Sequence, residues 1–201
     1  MLSITKSMAL YGLQGFLIDV QVDISAGMPS WNIVGLPDAS VKEAKERVKT
    51  AIKNSGYELL SRKIVVNLAP AEIKKEGSIF DLPIAVGILI GLEVIKKEKT
   101  EDILMIGELS LNGKLNSING ALPICIEAKK QGIKQVILPK QNEKEASVIE
   151  GIETLGVNDL NEVVCYLNGE ETINPPSVKV PGAAKISFTF VSFILFNSNC
   201  L

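Results

Sequence analysis

Ser78 follows Lys74 and Lys75 closely, just past the polar stretch Glu72 to Gly77. A hydroxyl beside an amine is the minimal machinery for Ser–Lys acyl transfer. That chemistry needs a lysine desolvated enough to give up its proton and held at hydrogen-bond distance from the hydroxyl. Adjacent lysines in a polar loop are ordinarily solvated and charged, so the plain expectation is an unactivated serine. Gly107-Glu108-Leu109-Ser110-Leu111-Asn112-Gly113-Lys114-Leu115 comes near a phosphate-binding loop. It has one residue too many between its glycines, and Leu115 stands where a Ser or Thr hydroxyl must reach Mg²⁺. Asp19 and Asp23 share a strand face but are about 13 Å apart along it, too far to share an ion. They read as ordinary surface polarity, and no metal site follows. Lys42, Lys45, Lys49 and Lys53 form a stripe at helical spacing. Its ordinary reading is a solvated helix face. Its functional reading is a DNA-binding, phosphate-facing ridge.

The chain of 201 residues contains no histidine. That removes Ser-His-Asp and Cys-His triads, His-bound zinc, and imidazole acid–base chemistry at neutral pH. The formal charge of −2 gives no whole-molecule attraction to nucleic acid or anionic membrane, so any DNA contact must come from a local patch. Cys125, Cys165 and Cys200 are odd in number and far apart, which suggests no disulfide frame and a reducing, cytoplasmic setting. The N-terminus lacks the features of a signal peptide, and no apolar run reaches the roughly 18 residues that span a bilayer. No membrane partner is expected.

The elements that must position these groups follow from periodicity. Residues 3–34 read as three strands; in Phe16 to Ile24, Ile18, Val20, Val22 and Ile24 alternate with Asp19, Gln21 and Asp23. Asp38 caps a helix that runs to about Asn54 and stops at Gly56. Its Val41, Ala44, Val48, Ala51 and Ile52 fall within an arc of about 100°. Lys63–Ala69 is a buried strand. Leu82 to Leu92 is apolar nearly all round, hence a central core helix, with Asp81 expected as its N-cap. A strand over 103–106, a hairpin with a two-residue turn at Asn112-Gly113, a helix over 120–131 and a strand over 135–138 come next. Short helices over 142–150 and 159–167 then flank a strand over 153–157. This order predicts an α/β fold (an α+β sandwich) built on a mixed sheet. Residues 1–170 form the domain, 171–185 a linker, and 186–201 an atypical Phe-rich tail carrying four of the six phenylalanines.

Two strings, YGLQGFLIDVQVDISAGMPSWNIVGLPDASVKEAKERVKTAIKNSGY and KIVVNLAPAEIKKEGSIFDLPIAVGIL, together closely resemble the N-terminal region of the ComM/YifB family, related to magnesium chelatase. The resemblance covers about residues 1 to 170. It implies a ribosomal protein S5 domain 2-like fold, shared with the Lon protease domain. MIGELSLNGKLNSINGALPICIEAKKQGIKQVILPKQNEKE is similar to the Lon stretch that carries the catalytic lysine. Carried across by position, the Lon serine falls on Asp81 and the lysine on Leu122, neither of which can do that chemistry; a gap could bring Ser78 near the serine position. The resemblance therefore implies a non-catalytic accessory domain, with a divergent Ser–Lys peptidase centred on Ser78 as the alternative. Family members continue into an AAA+ ATPase, so ATP and Mg²⁺ are expected only in that missing part and no cofactor is expected in this chain. Self-association as a hexamer and a role in DNA branch migration during natural transformation are further implications. The tail departs from the family, as a truncation or frameshift would explain.

Overall fold

The computed structural model describes residues 1–170 except 13, 60, 97–99 and 101. The expected linker (171–185) and Phe-rich tail (186–201) lie outside the described residues. Strands β1 (Leu2–Tyr11), β2 (Gln14–Ser25) and β3 (Ser30–Val34) precede helix α1 (Ala39–Asn54). Strand β4 (Lys63–Ala69) leads to helix α2 (Asp81–Gly91), and β5 (Ile103–Met105) to the hairpin β6 (Glu108–Leu109) and β7 (Leu115–Asn116). Helix α3 (Ala121–Lys130), β8 (Gln135–Pro139), α4 (Lys140–Ala146), β9 (Glu153–Val157) and α5 (Leu160–Asn168) follow among the described residues.

Seven strands form one sheet in the order β3-β4-β2-β1-β5-β8-β9. The β1–β2 and β2–β4 pairs are antiparallel; the other four pairings are parallel. The chain is thus an α/β protein with a mixed, mostly parallel sheet. Strands come early as antiparallel neighbours, and βα crossovers supply the parallel half.

The alternation in β2 sets the layers. Ile18, Val20, Val22 and Ile24 are buried on the face covered by α1, α2 and α5. Their β1 partners on that face are Ser3, Thr5 and Ser7, all buried. Small side chains there let α2 lie close, and two of the three hydroxyls find acceptors on it: Ser3 Oγ donates to the Gly87 carbonyl at 2.6 Å and Thr5 Oγ1 to the Pro83 carbonyl at 2.9 Å. Gly87 is required by the same approach, since a Cβ there would stand 2.7 Å from Val22 Cγ2. The opposite face buries Met8, Leu104, Ile106, Val136 and Leu138 beneath α3 and α4. Beside that cover, the rows Leu2–Asp23–Val65–Asn32 and Ile4–Gln21–Asn67–Val34 remain exposed or half-exposed.

The structure corrects the expected cap of α2 and the expected turn of the hairpin. Asp81 is not the N-cap of α2: that position is Phe80, without a side-chain cap, and Asp81 is the first helical residue. The hairpin loop has three residues and not two, since Ser110 N–H bonds the Lys114 carbonyl at 2.8 Å and Gly113 N–H the Ser110 carbonyl at 2.9 Å. In that loop only Gly113 is left-handed, at φ +85°, whereas a two-residue type I′ turn would need Asn112 left-handed as well.

Candidate functional site

Helix α1 carries different chemistry on its two flanks. Asp38 starts it, as its sequence position predicts: Oδ1 accepts from Val41 N–H at 2.8 Å and Oδ2 from Gly77 N–H at 3.3 Å, so one carboxylate caps α1 and holds the loop before α2. Val41, Ala44, Val48, Ala51 and Ile52 are buried, which matches the arc drawn from spacing. At 100° per residue the lysines lie to one side of that arc and Arg47 to the other, about 40° beyond Ala51.

Arg47 binds both oxygens of the Asp81 carboxylate with one edge of its guanidinium. Its Nε donates to Oδ2 at 2.8 Å and its Nη2 to Oδ1 at 3.0 Å, while Nη2 also donates to the Ser40 carbonyl at 3.0 Å. Leu109 N–H adds a third donor to Oδ2 at 3.2 Å. Asp81 is 0% exposed. Burial pushes its carboxyl up to about 6, against the pull of the Arg47 hydrogen bonds and charge and of the Leu109 amide. The hydrogen bond to Asp81 in turn raises Arg47 above its usual value. This joint ties α1, the start of α2 and the β6–β7 hairpin together. An N-cap residue has non-helical backbone angles; Asp81 lies one residue inside the helix, where its oxygens accept from Arg47 and Leu109.

Ser78 donates its hydroxyl to Glu108 Oε2. Asn116 Nδ2 donates to Glu108 Oε1 at 2.9 Å. The Ser78 and then the Asn116 hydrogen bonds hold the Glu108 carboxyl below its ordinary range. A carboxylate made more acidic is a weak base for a hydroxyl proton. Neither nearby lysine takes part: Lys74 is exposed and paired with Glu76 at 2.6 Å, and the Lys75 amine donates to the Pro70 carbonyl. Lys75 overturns the expectation of a solvated side chain. It is 0% exposed, because its backbone bridges to Leu36 and Asp38 at 3.2 and 3.0 Å and draws the segment beneath that turn. Burial lowers its amine, and the charge of Glu72 partly offsets this.

Leu122 sits half-buried in the first turn of α3, on the far side of the sheet from the Asp81 carboxylate. The fold directs Asp81 toward α1 and places Leu122 in the other layer. Asp19 and Asp23 lie on the outer sheet face, Asp19 with Lys6 Nζ at 3.4 Å and Asp23 with the N-terminal amine at 3.7 Å.

Lys42, Lys49 and Lys53 are exposed, and Lys45 is half-buried with its amine 4.0 Å from Glu46. The row spans about 16 Å along the axis at 1.5 Å per residue. After α1, Gly56 at φ +93° reverses the chain, and Tyr57 N–H bonds back to the Ile52 carbonyl at 3.2 Å. The returning residues Tyr57, Glu58 and Leu59, with Glu46, Lys49 and Lys53, line an open cleft of ≈ 530 Å³ at the end of the lysine row. Sequence reasoning missed Arg47, Glu108 and Tyr57, and it missed the burial of Lys75. Only Arg47 left a signal, a guanidinium beside the apolar arc where a charge needs a buried partner.

Comparison with known proteins gives these features a family. The family model described as subunit ChlI of Mg-chelatase matches residues 20–142. YifB of Escherichia coli K12 is 41% identical over 175 residues, which is 87% of this chain and 34% of that protein. Competence protein ComM of Haemophilus influenzae is 36% identical over 188 residues, 94% of this chain and 36% of that protein. Lon protease 2 of Bacillus subtilis is 29% identical over 196 residues, covering 89% of this chain and 34% of its own length. The chain therefore spans about a third of the length of these curated relatives. With the ChlI model matched over more than half of its residues and YifB and ComM similar to nearly all of it, this chain belongs to the ComM/YifB family of Mg-chelatase-related proteins.

Proposed function

We propose that this chain is a non-catalytic accessory domain of a ComM/YifB-type AAA+ ATPase, on an S5 domain 2-like scaffold shared with Lon. The observation that carries this reading is the Arg47–Asp81 joint. At the position the resemblance gives to a nucleophile stands a carboxylate with no exposed surface, held by three donors and linking three elements. The hydroxyl of Ser78 is committed to an acidic Glu108, and the amine of Lys75 to a backbone carbonyl, which speaks against the Ser–Lys alternative. Support for a DNA-processing role comes from similarity to a competence protein and from the ridge of exposed Lys42, Lys49 and Lys53 with half-buried Lys45. In the whole protein this domain would sit in a self-associated ring, a hexamer in the cytoplasm. ATP and Mg²⁺ would act in the ATPase part, and the ring would drive branch migration of DNA taken up in transformation. Among the described residues no helix is long and apolar enough to cross a membrane.

The test is DNA binding by fluorescence anisotropy over a range of salt. Replacing all four ridge lysines with Glu should weaken binding and flatten the dependence of log K on log salt by roughly three to four, at about 0.9 per phosphate contact. Unchanged binding removes the ridge from the proposal. Labelling by a serine-directed probe, or casein turnover, that is lost in Ser78→Ala would overturn the non-catalytic reading.

A further inference from the structure

The seven-stranded sheet ends differently at its two edges. At one end stands β9, which its own chain engages: Gly156 N–H donates to the buried Glu143 carboxylate at 2.9 Å. Just past β9, the Asn158 carbonyl accepts from Leu115 N–H at 2.8 Å, and Leu160 N–H donates to the Gly113 carbonyl at 2.9 Å. At the other end stands β3, paired on one side only, to β4. Among the described residues no hydrogen bond beyond that pairing engages Ser30–Val34. Ser30, Asn32 and Val34 are exposed, and the strand carries neither the charge nor the internal proline that ordinarily keeps an edge from pairing. We propose that the β3 edge is a contact surface for a second copy of this chain, joined strand to strand about a two-fold axis at Asn32.

Three features select a second copy as the occupant. The first is self-complementary shape. In an antiparallel pairing centred on Asn32, that residue faces its own copy and Ser30 faces the second copy's Val34. Beyond the strand ends, Met28 comes alongside the second copy's Leu36. Met28 and Leu36 are 88% and 56% exposed, among the most exposed large apolar side chains described, and the axis covers each of them twice. Leu36 is moreover held at φ +56°, a left-handed conformation unfavourable to a residue with a side chain. Lys75 N–H keeps it there, on the Leu36 carbonyl at 3.2 Å. The second feature is charge. Lys63, beside Ser30 on β4, falls in a row with the second copy's Val34 and Asn67, so lysine does not meet lysine. The third is closure. Each copy spends β3 on the other while β9 is engaged by its own chain, so the association stops at two and does not grow into a fibre. The contact is isologous, unlike the heterologous contacts of a ring, and does not rest on the ring reading above. Five strand residues per copy with one flanking apolar pair on each side make a small interface, hence a weak dimer.

Sedimentation velocity on the full chain at rising concentration reads the association directly, and a reversible monomer–dimer equilibrium is expected. Asn32→Asp sets two carboxylates face to face across the axis and should weaken the dimer about tenfold or more. Leu36→Gly adopts the left-handed conformation freely, so it should weaken the dimer while the thermal unfolding midpoint holds or rises. A purely structural role for Leu36 would move the two readouts together. Directly opposed residues stand about 4.5–5.5 Å apart between Cα atoms, a spacing that suits a disulfide. Asn32→Cys should therefore yield a disulfide-linked dimer under mild oxidation, beyond any formed by the unaltered chain. A chain that stays monomeric into the millimolar range overturns the proposal and leaves the edge to an extended segment of a different protein. Association indifferent to Asn32→Asp or to Leu36→Gly, or no added cross-link in Asn32→Cys, places the contact elsewhere and overturns it as well.

Discussion

The two flanks of α1 carry cations that behave in opposite ways. Arg47 lies on the flank facing α2, with 23% of its side chain exposed, and makes four contacts of fixed geometry within 3.8 Å: two to Asp81, one to Ser40 and one to Glu43. Lys42, Lys49 and Lys53, on the other flank, are exposed ammoniums at the ordinary solvent boundary. The lesson is about where charge does work. A guanidinium whose planar fork meets a buried carboxylate stabilises the fold. A row of hydrated ammoniums adds little to the fold and remains available to an outside anion.

Arg47→Met is the strongest challenge to that contrast. It leaves the fully buried Asp81 carboxylate without its countercharge and should cost about 3–5 kcal/mol in urea denaturation near pH 8. The pH dependence has a definite sign. Asp81 is raised in the folded chain to about 6 from 3.8, so the folded form holds its proton where the unfolded form has lost it. Its contribution is therefore fully present at low pH and is lost as pH rises toward and through 6. Without Arg47 the folded value climbs further, so the variant's deficit should shrink between pH 8 and pH 5. A deficit independent of pH would mean that Arg47 acts through its packing alone. Arg47→Met combined with Asp81→Leu should recover most of the loss, because an apolar pair can replace a buried ion pair.

Asp38→Ala should cost about 1–2 kcal/mol, since the cap of α1 and the acceptor for Gly77 disappear together. A cost below about 0.5 kcal/mol would separate α1 from the loop that carries Lys75 and Ser78. Ser78→Ala should cost about 1 kcal/mol at pH 7 by removing the donor to Glu108. Glu108 is lowered in the folded chain, so its contribution is present above its ordinary value and is lost as pH falls through the folded value. The difference between Ser78→Ala and the unaltered chain should therefore fade on acidification, as followed by denaturation at pH 7 and pH 3. Smallest of all, Lys42→Ala or Lys49→Ala should change stability by less than about 0.5 kcal/mol. A larger loss would place the ridge among the structural contacts and break the contrast between the flanks.

Element types and the buried arc of α1 were legible in the sequence because period and punctuation are local. Lys63–Ala69 and Glu153–Val157 form as strands with the expected bounds, and Asp38 caps where a short polar residue precedes an apolar-periodic run. The site was less legible. The lysine row could be drawn from spacing, but Tyr57 joins it only because Gly56 turns the chain back along α1. Ser78 and Lys75 looked like a candidate pair by proximity in sequence. In space, the hairpin brings Glu108 to the serine while the Leu36–Asp38 turn covers the lysine.

The sequence by itself determined the absence of imidazole chemistry, the alternation of β2, the amphipathic face of α1 and the family. Each of these depends on residue identity or on spacing within one element. Only the tertiary structure decided what the charged groups do. Asp81, which its sequence context offers as a cap, is instead the first helical residue and an acceptor for Arg47 and Leu109, because α1 and the β6–β7 hairpin converge on the start of α2. The partner of a charge is set by which elements pack together, and the burial of a charged group, which its local pattern did not show here, sets the strength of the interaction.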